Sequence, residues 1–354
     1  MADTLARALT RPVLVGGVQI GGGAPVAVQS MTCTPTADAA ATLAQVRALV
    51  EAGCDLVRVS VPSKEALEGF AAVCAESPVP IVADIHFDYR LAIGAVRVGA
   101  ARLRINRGTI GDWAKVDALI DAAGEAGAAI RIGVNAGSLE ADIAARGDLT
   151  QPEKLVASSL RFVEHFEARG FTDIVLSAKA HGVRTTIDTY RALSRELPSV
   201  PLHLGVTEAG GVRQGTIKSS VALGALLAEG IGDTLRVSLT ADPVEEVPVA
   251  WGILEAVGVR RRGPEMVSCP TCARCQVDMI PIANEVERRL RACSKPISVA
   301  VMGCVVNGPG EAADADVGVA CGRDCALLFR HGEIVRKIAA ADIVDTLMRE
   351  IEAL

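Results

Sequence analysis

In the stretch Leu56-Val-Arg-Val-Ser-Val-Pro62, branched apolar residues alternate with Arg58 and Ser60. Successive side chains of a β-strand point to opposite faces, so this alternation predicts a strand with one apolar and one polar face. A longer Ala-rich segment of helical character follows, and the same pair of segments recurs along the first three quarters of the chain. Eight strands are expected, at Val26 to Met31, Leu56 to Val61, Ile81 to Phe87, Arg102 to Asn106, Ala129 to Asn135, Asp173 to Lys179, Leu202 to Glu208 and Thr234 to Thr240.

Each predicted strand is followed by a helix candidate, for example Asp38 to Ala52 or Pro152 to Arg169. Eight strand-then-helix units in series predict an α/β fold, a closed parallel (β/α)8 barrel of the TIM type over residues 1–257. A doubly wound open sheet is the competing architecture, but it more usually stops at five or six strands.

One face of each strand end is polar, and we expect that face to line the barrel lumen because the neighbouring positions are apolar and would face the helices. The residues that share this side are Arg58 with Ser60, Asp84 with His86, Arg104 with Asn106, Arg131 with Asn135, Ser177 with Lys179, and Arg236 with Ser238. For any single residue, a solvated loop or a salt bridge at the barrel mouth is an equally simple interpretation.

The cations among these residues outnumber the nearby carboxylates, Asp84 and Glu208. Gathering positive charge in a partly dehydrated cavity costs free energy unless an anion is bound there. The sequence therefore predicts a site for a polyanionic small molecule, most simply a diphosphate.

The overall charge and the termini limit the classes of partner. The chain has 354 residues and a formal net charge of -6, so nucleic acid is not an expected partner. Residues 1–7 lack the apolar core of a signal peptide, and no uninterrupted apolar run reaches membrane-spanning length. A soluble cytoplasmic protein that does not bind membranes is expected.

Seven of the ten cysteines fall in the last quarter of the chain. A basic link, Gly258-Val-Arg-Arg-Arg-Gly-Pro264, leads into this region, and residues 265–354 are predicted to form a small α+β domain. Bunched cysteines in a reducing compartment favour metal ligands over disulfides. The remaining cysteines are expected to be core or near-core thiols; they are Cys33, Cys54 and Cys74.

Two motifs supply candidate metal ligands, Cys269-Pro-Thr-Cys272 and Gly303-Cys-Val-Val-Asn-Gly-Pro-Gly-Glu311. Cys-x-x-Cys by itself also occurs in zinc sites and thioredoxin-type redox pairs. The Asn-Gly-Pro-Gly turn is able to return Glu311 toward a metal bound by Cys304. Three thiolates and a carboxylate suit an iron cluster with one exchangeable oxygen ligand, while a structural zinc site, with Cys275 as a possible fourth ligand, stays open.

These motifs together resemble the family of reductive (E)-4-hydroxy-3-methylbut-2-enyl diphosphate synthases of the non-mevalonate isoprenoid pathway. The matching stretches include Gln29-Ser-Met-Thr32, Ala83-Asp-Ile-His-Phe87, Leu103-Arg-Ile-Asn106, Arg131-Ile-Gly-Val-Asn135, Gly205-Val-Thr-Glu-Ala-Gly210, Ile217-Lys-Ser-Ser220 and Arg236-Val-Ser-Leu-Thr240, besides the two cysteine motifs. The resemblance implies an iron-sulfur domain whose 4Fe-4S cluster is bound by Cys269, Cys272, Cys304 and Glu311. It also implies reduction of 2-C-methyl-D-erythritol 2,4-cyclodiphosphate with electrons from flavodoxin or ferredoxin.

The family pattern and the charge argument together suggest residue roles. The expected diphosphate ligands are Arg58, Arg104, Arg131, Lys179, Arg236 and Ser238. Glu208 is expected to steer protons or stabilise positive charge, and Glu311 to be the exchangeable ligand. Substrate orientation falls to Asp84, His86, Asn106 and Asn135. Among the departures from the family pattern, Cys275 lies close enough to compete for the cluster, and Cys321 and Cys325 are further extra thiols.

The link between the two domains bears on assembly. The last barrel helix runs antiparallel to the strands, so the chain should leave the barrel at the face opposite the active site. About eight linker residues reach at most ~28 Å, against a helix of roughly 22 Å and a detour around the barrel. A head-to-tail homodimer is therefore expected, in which each cluster domain caps the barrel of the partner.

Two further functional classes compete with the reductase hypothesis. One is a zinc-stabilised barrel enzyme without redox chemistry, such as a phosphosugar aldolase or a hydrolase. The other is a non-enzymatic iron or redox sensor that uses the cluster as its switch.

Overall fold

The computed structural model describes residues 7–304, 310 and 312–354. Two compact units divide between Arg260 and Arg261. The larger unit is a parallel barrel surrounded by helices, and the smaller is a mixed sheet with two helices. No described helix is both long enough and apolar enough to cross a bilayer.

Eight parallel strands form the barrel wall, which confirms the predicted fold class. An antiparallel hairpin of β1 (Val13–Val15) and β2 (Val18–Ile20) precedes them. The wall strands are β3 (Ala27–Met31), β4 (Leu56–Ser60), β5 (Ile81–Asp84), β6 (Arg102–Ile105), β7 (Ala129–Asn135), β8 (Ile174–Lys179), β9 (His203–Leu204) and β10 (Thr234–Leu235). Neighbours follow chain order from β3 to β8, with β10 and then β9 on the other side of β3. A single bridge between Leu176 and Leu202 brings the two ends of the sheet together.

The hairpin fills the amino-terminal end of the lumen. Val13, Val15 and Ile20 form one fully buried cluster with residues such as Leu56, the first residue of β4, and Val175, the second residue of β8. Polar lumen residues such as Asp84 and Lys179 end their strands, at the carboxyl ends where barrel enzymes hold their active sites, whereas Arg102 lies deeper, at the start of β6.

The last two wall strands are much shorter than predicted. Beyond β10, the Leu239 N–H donates to a carboxylate oxygen of Glu246 at 3.1 Å, and the Thr240 N–H donates to the Gly210 carbonyl at 3.0 Å. Beyond β9, Glu208 has a φ of 54°, a left-handed conformation that extended strands exclude. After β10, hydrogen bonds to a side chain and to a loop therefore replace the strand-to-strand backbone hydrogen bonds that apolar alternation predicts.

Helices cover the outside of the barrel. They are α1 (Ala39–Ala52), α2 (Lys64–Glu76), α3 (Tyr89–Arg97), α4 (Arg107–Ile110), α5 (Trp113–Ala126), α6 (Ala141–Ala144), α7 (Gln151–Ala168), α8 (Val183–Glu196), α9 (Val212–Ala228) and α10 (Glu246–Ala256). Local sequence sets their ends: the Asp38 carboxylate accepts from the Ala41 N–H at the start of α1, and Gly53, with a φ of 113°, ends it. Of the thiols expected in or near the core, Cys54 is buried and Cys74 half-buried, whereas the expectation is wrong for the exposed Cys33.

The smaller unit is a five-stranded sheet with two helices packed on one face. Its strands, in spatial order, are β11 (Glu265–Ser268), β12 (Ser298–Met302), β13 (Val317–Cys321), β14 (Cys325–Arg330) and β15 (Glu333–Ala339). The first three are parallel, and β13 to β15 are antiparallel neighbours. The helices are α11 (Met279–Leu290) and α12 (Ile343–Ala353). Strand β11, which leads directly into Cys269, is an element that the sequence did not predict.

Candidate functional site

Cationic side chains concentrate inside the barrel, as alternation along the strands predicts. Their neighbours, including Val57, Val59 and Leu103, lie fully buried between the strands and the helices, so the charged positions face the lumen. The cations are Arg58 on β4, Arg102 and Arg104 on β6, Arg131 on β7, Lys179 on β8 and Arg236 directly after β10. All are buried or nearly so, and Arg102 and Arg131 are among the largest fully buried side chains of the protein.

Asp84 is a shared counter-ion for part of this set. Its carboxylate lies 4.0 Å from Arg58 Nε, 3.4 Å from Arg104 Nη1 and 3.3 Å from His86 Nε2. Burial favours the neutral acid, but the Arg58 charge, the His86 hydrogen bond and the Arg104 charge outweigh it and hold the pKa of Asp84 far below its usual range. Asp84 is thus ionised at neutral pH and fixes two of the predicted phosphate ligands.

Asn135 and Asn106 have different surroundings. With its amide assigned so that the oxygen faces Arg104, Asn135 accepts from Arg104 Nη2 at 3.1 Å, so this residue is part of the same network. The Asn106 side chain instead donates to Ser138 Oγ at 2.6 Å and accepts from the Gly108 N–H at 2.9 Å. Asn106 therefore holds the segment that follows β6 through its side-chain hydrogen bonds.

A second buried carboxylate, Glu246, was missed by the sequence reasoning. It accepts two hydrogen bonds from Arg236, at 3.0 and 3.1 Å, and one from Ser30 Oγ at 2.7 Å. Glu246 lies in the first turn of α10, beyond the predicted end of the last strand, so strand alternation gives no signal for it. Met31 Sδ, at the end of β3, lies between arginines of the two neighbouring strands, 3.0 Å from Arg58 Nε and 3.6 Å from Arg236 Nη1.

Lys179 lies beside His203, another residue that the sequence analysis did not select. Its Nζ lies 3.5 Å from His203 Nε2. Burial and then the charges of Arg131 and Arg58 lower the pKa of Lys179 well below its ordinary value. A side chain at Gly205 would come within 2.5 Å of Lys179 Nζ, so the glycine leaves the space that the lysine fills. The sequence contained a signal for His203: it lies two positions before Gly205, so both residues face the same side of an extended strand.

The cation cluster has more donors than acceptors. Arg131 donates through Nη1 to Ser177 Oγ at 3.0 Å, and Arg102 donates through Nη2 to the side-chain carbonyl of Gln29. Arg131 Nε and Nη2, Arg102 Nε and Nη1, and Arg104 Nε are buried without a hydrogen-bond partner among the described residues. Burial, and then repulsion from Arg58, lowers the pKa of Arg102 to about 9. Unpaired buried guanidinium nitrogens favour an anion in the lumen.

The remaining predicted residues of this unit lie at the carboxyl ends of the strands. Ser238 is half-buried and Glu208 is exposed. The left-handed backbone of Glu208 is uncommon outside glycine and asparagine, and such conformations concentrate at functional sites.

In the smaller unit, the parallel pairing of β11 and β12 brings the two cysteine motifs together. Ser268 is opposite Val301, so Cys269 and Gly303 follow neighbouring strand ends. The Gly303 N–H donates to Cys269 Sγ at 3.0 Å. Cys304 is buried, Cys269 is half-buried and Cys272 is exposed.

Gly303 forms a niche for sulfur. A Cβ at this position would overlap Cys275 Sγ and would lie 3.3 Å from Cys269 Sγ. The glycine is therefore needed for two thiols to meet at the end of β12. Soft thiolates with a backbone N–H bonded to one sulfur fit an iron-sulfur group, whose potential such hydrogen bonds tune.

Part of the predicted ligand set lies outside the described residues. Glu311, predicted as a ligand and as a catalytic residue, is outside them, as is the turn Asn307-Gly308-Pro309. Within the part of the chain that the structure describes, no three Cys, His, Asp or Glu side chains converge as the ligands of a single metal ion. The extra thiol Cys321 belongs to the apolar core, and burial, followed by Cys275 and Cys269, raises its pKa to about 12.

Two family models match almost the whole chain. The GcpE TIM-barrel domain matches residues 10–251, and the GcpE protein C-terminal domain matches residues 265–353.

Curated relatives match at similar coverage. A protein of Geobacter sulfurreducens named 4-hydroxy-3-methylbut-2-en-1-yl diphosphate synthase (flavodoxin) is 52% identical over 98% of this chain and 98% of its own. A protein of the same name from Clostridium acetobutylicum is also 52% identical, over 97% of this chain and 98% of its own.

Among solved structures, a dihydropteroate synthase from Coxiella burnetii in complex with pteroic acid superposes with a TM-score of 0.52. It is 12% identical in sequence and covers 70% of this chain and 98% of its own. This likeness concerns the fold alone.

Proposed function

Because the chain belongs to the GcpE family, we propose that its barrel residues bind the cyclic diphosphate on which the family acts, and that its smaller domain holds a 4Fe-4S cluster. The chain is an oxidoreductase of isoprenoid precursor biosynthesis. It converts 2-C-methyl-D-erythritol 2,4-cyclodiphosphate to (E)-4-hydroxy-3-methylbut-2-enyl diphosphate by reductive ring opening and dehydration.

The observation that carries the substrate site is the surplus of buried donors in the barrel. Arg131 and Arg104 keep guanidinium nitrogens without partners among the described residues, and Lys179 lies beside them. A diphosphate supplies acceptor oxygens and negative charge to these groups at once. Arg58 and Arg236 complete the set of cations, and each is already oriented by a carboxylate. Ser238 adds a hydroxyl group at the mouth of the barrel.

The two kinds of cation have different tasks in this proposal. Arg58 and Arg236 are held by Asp84 and Glu246, so they present fixed donors whose direction does not depend on the substrate. Arg131 lacks such a carboxylate partner among the described side chains, and its binding energy is realised only when the anion arrives.

Proton movement and orientation fall to residues at the rim. Glu208 is exposed at the carboxyl end of β9, where its carboxylate is able to exchange protons with solvent and substrate. His86, which is bonded to Asp84, would orient a hydroxyl group of the substrate. Asn135, beside Arg104, would orient the substrate from that side of the lumen. Asn106 would contribute indirectly, by holding the loop after β6.

The ligands proposed for the cluster are Cys269, Cys272, Cys304 and Glu311. When bound, the cluster supplies electrons one at a time and a Lewis-acidic iron for a substrate oxygen. The Gly303 N–H holds Cys269 Sγ in place. The names of the relatives support flavodoxin as the electron donor, with ferredoxin as the alternative.

We extend the proposal to a head-to-tail homodimer made of barrels (residues 1–257) and cluster domains (residues 265–354). Arg260 donates to the Val26 carbonyl at 3.0 Å and pairs with Asp55, and both of these residues lie before barrel strands. The chain therefore leaves the barrel at its amino-terminal face, away from the proposed substrate site. This exit favours a cluster supplied by the partner subunit.

Subunit mixing tests the dimer. A Cys304→Ala subunit and a Glu208→Ala subunit are each expected to be inactive, but their mixture should recover roughly a quarter of the wild-type activity if sites form across subunits. A mixture as inactive as its components would contradict the shared site.

Turnover under anaerobic conditions tests the substrate site. Protein loaded with iron and sulfide should convert the cyclodiphosphate with a chemical reductant, and Arg131→Met should lose most of its kcat/KM. Arg146→Met is the matched control, because Arg146 is an exposed arginine paired with Asp148 outside the lumen. Equal activity of the two variants would contradict the phosphate-binding role of Arg131.

A further inference from the structure

We propose that Cys275 is a reserve ligand of the cluster, which takes the fourth iron position when that position loses its oxygen ligand. The exchange forms an iron–sulfur bond as an iron–oxygen bond breaks, the thiol proton passes to the departing oxygen or to water, and no oxidation state changes. This inference rests on the proposed cluster and on no property of the barrel.

The position of Cys275 is the first support. Its sulfur occupies the niche at Gly303, the same niche that Cys269 Sγ borders, and Cys304 is the next residue along the chain. Cys275 thus lies among the proposed thiol ligands, although the family pattern does not include it.

Two backbone hydrogen bonds hold Cys275 there. The Cys275 N–H donates to the Cys272 carbonyl at 2.9 Å, which turns the chain back after the Cys-x-x-Cys motif. The following residue, Gln276, donates through its N–H to the Gly303 carbonyl at 2.9 Å. The thiol is therefore positioned by local structure before any metal binds, which lowers the entropy cost of using it as a ligand.

Other thiols of the domain lie elsewhere, and the extra thiol Cys325 lies near Gly322. Cys321 is fully buried within the apolar core, where a neutral thiol is stable. Cys293 follows α11 and, like Cys275, packs against the edge of that core, but it is not among the atoms nearest to Gly303. Cys275 alone among these lies against the Gly303 niche, and it is half-buried, so solvent is able to accept its proton.

The relative affinities of iron for thiolate and carboxylate explain what a fourth thiol would do. A thiolate binds cluster iron more tightly than an exchangeable carboxylate does. A reserve thiolate would therefore retain the fourth iron whenever its oxygen ligand is absent.

A set of variants tests this idea by iron content and spectroscopy instead of activity. Glu311→Ala should keep about four irons per subunit, and its Mössbauer spectrum should show a fourth iron with sulfur ligands only. The double variant Glu311→Ala/Cys275→Ala should lose the fourth iron and give the paramagnetic signal of a three-iron cluster on oxidation. Glu311→Ala/Cys293→Ala is the matched control and should behave like Glu311→Ala.

The outcomes separate this inference from the proposed cluster. Wild-type protein without iron and sulfide after anaerobic reconstitution would defeat the cluster itself. Wild-type protein with a full cluster, together with equal iron retention in Glu311→Ala and Glu311→Ala/Cys275→Ala, would overturn the reserve ligand alone. Cys275→Ala by itself should keep four irons, since Glu311 is then present, and this single variant shows that the domain folds without the thiol.

Discussion

Asp84→Asn removes one negative charge from the centre of the cation cluster while keeping the size of the side chain. Asp84 is 4% exposed, and its carboxylate pairs with both Arg58 and Arg104. Breaking a buried ion pair by neutralising one partner costs about 3–5 kcal/mol, because the remaining charge stays buried without compensation. For a domain of this size, each kcal/mol lowers the unfolding midpoint by about 2–4 °C. We therefore expect the midpoint of Asp84→Asn to fall by about 6–20 °C.

A bound anion should restore part of this loss, because it replaces the missing negative charge. Inorganic pyrophosphate at a hundred times its dissociation constant stabilises a protein by about 2.7 kcal/mol. The stabilisation by pyrophosphate should be larger in Asp84→Asn than in the wild type, since the variant leaves Arg58 and Arg104 unpaired.

The stability difference should also depend on pH. The folded pKa of Asp84 lies below the unfolded value, so its contribution is complete above the unfolded pKa and disappears as the pH falls toward the folded one. The gap between wild type and variant should therefore be constant at neutral pH and should narrow below about pH 5.

Thermal unfolding monitored by circular dichroism, with and without pyrophosphate, measures these effects. Asp148→Asn is the control, because Asp148 pairs with Arg146 on the exposed surface and its loss should leave the midpoint unchanged. An unfolding midpoint of Asp84→Asn equal to that of the wild type would refute the role of Asp84 as a shared counter-ion in the lumen. Equal stabilisation of the two proteins by pyrophosphate would refute it as well.

Three further predictions follow from contacts at single positions. Gly205→Ala should displace Lys179 and lower kcat/KM roughly 100-fold in steady-state assays, because misplacing a positioning group by about 1 Å has a cost of that order. An unchanged kcat/KM would contradict the role of Gly205. Gly303→Ala should fill the sulfur niche and weaken iron retention about 10- to 100-fold in a chelator challenge, whereas wild-type retention would show that the niche is not needed. Burial raises the pKa of Cys54 to about 12, so peptide mass spectrometry after alkylation of the native protein at pH 8 should find Cys33 modified and Cys54 intact; early modification of Cys54 would refute its burial.

The sequence was sufficient for the barrel because its strands are regular. Alternation at Arg58 and Arg131 marks the lumen face, and Asp38 and Gly53 mark the ends of a helix through local hydrogen bonding and backbone geometry. These signals depend on residues within a few positions of one another, so they are readable without tertiary structure. The last two strands are shorter than alternation predicts, because the Leu239 N–H bonds to the Glu246 side chain and the Thr240 N–H to the Gly210 carbonyl. Neither bond leaves a trace in the alternation of apolar residues.

The chemistry of the site was only partly readable. The polar face of β6 gave Arg104, but Arg102, two positions earlier, was left out because nothing local shows how deep the polar lumen extends. Glu246 was missed for a related reason, since it reaches Arg236 from the start of a helix that follows the last strand.

The sequence by itself determined the class of the barrel, its family and the identity of the charged and thiol side chains, since each of these is recorded in short motifs and in periodicity. Tertiary structure decided which charges are neutralised inside the protein and which donors remain for a substrate. It also decided that Cys275, and not Cys321, lies in the sulfur niche of Gly303. The physical reason is that burial and pairing depend on neighbours brought together by folding, whereas strand and helix preferences depend on the chain itself.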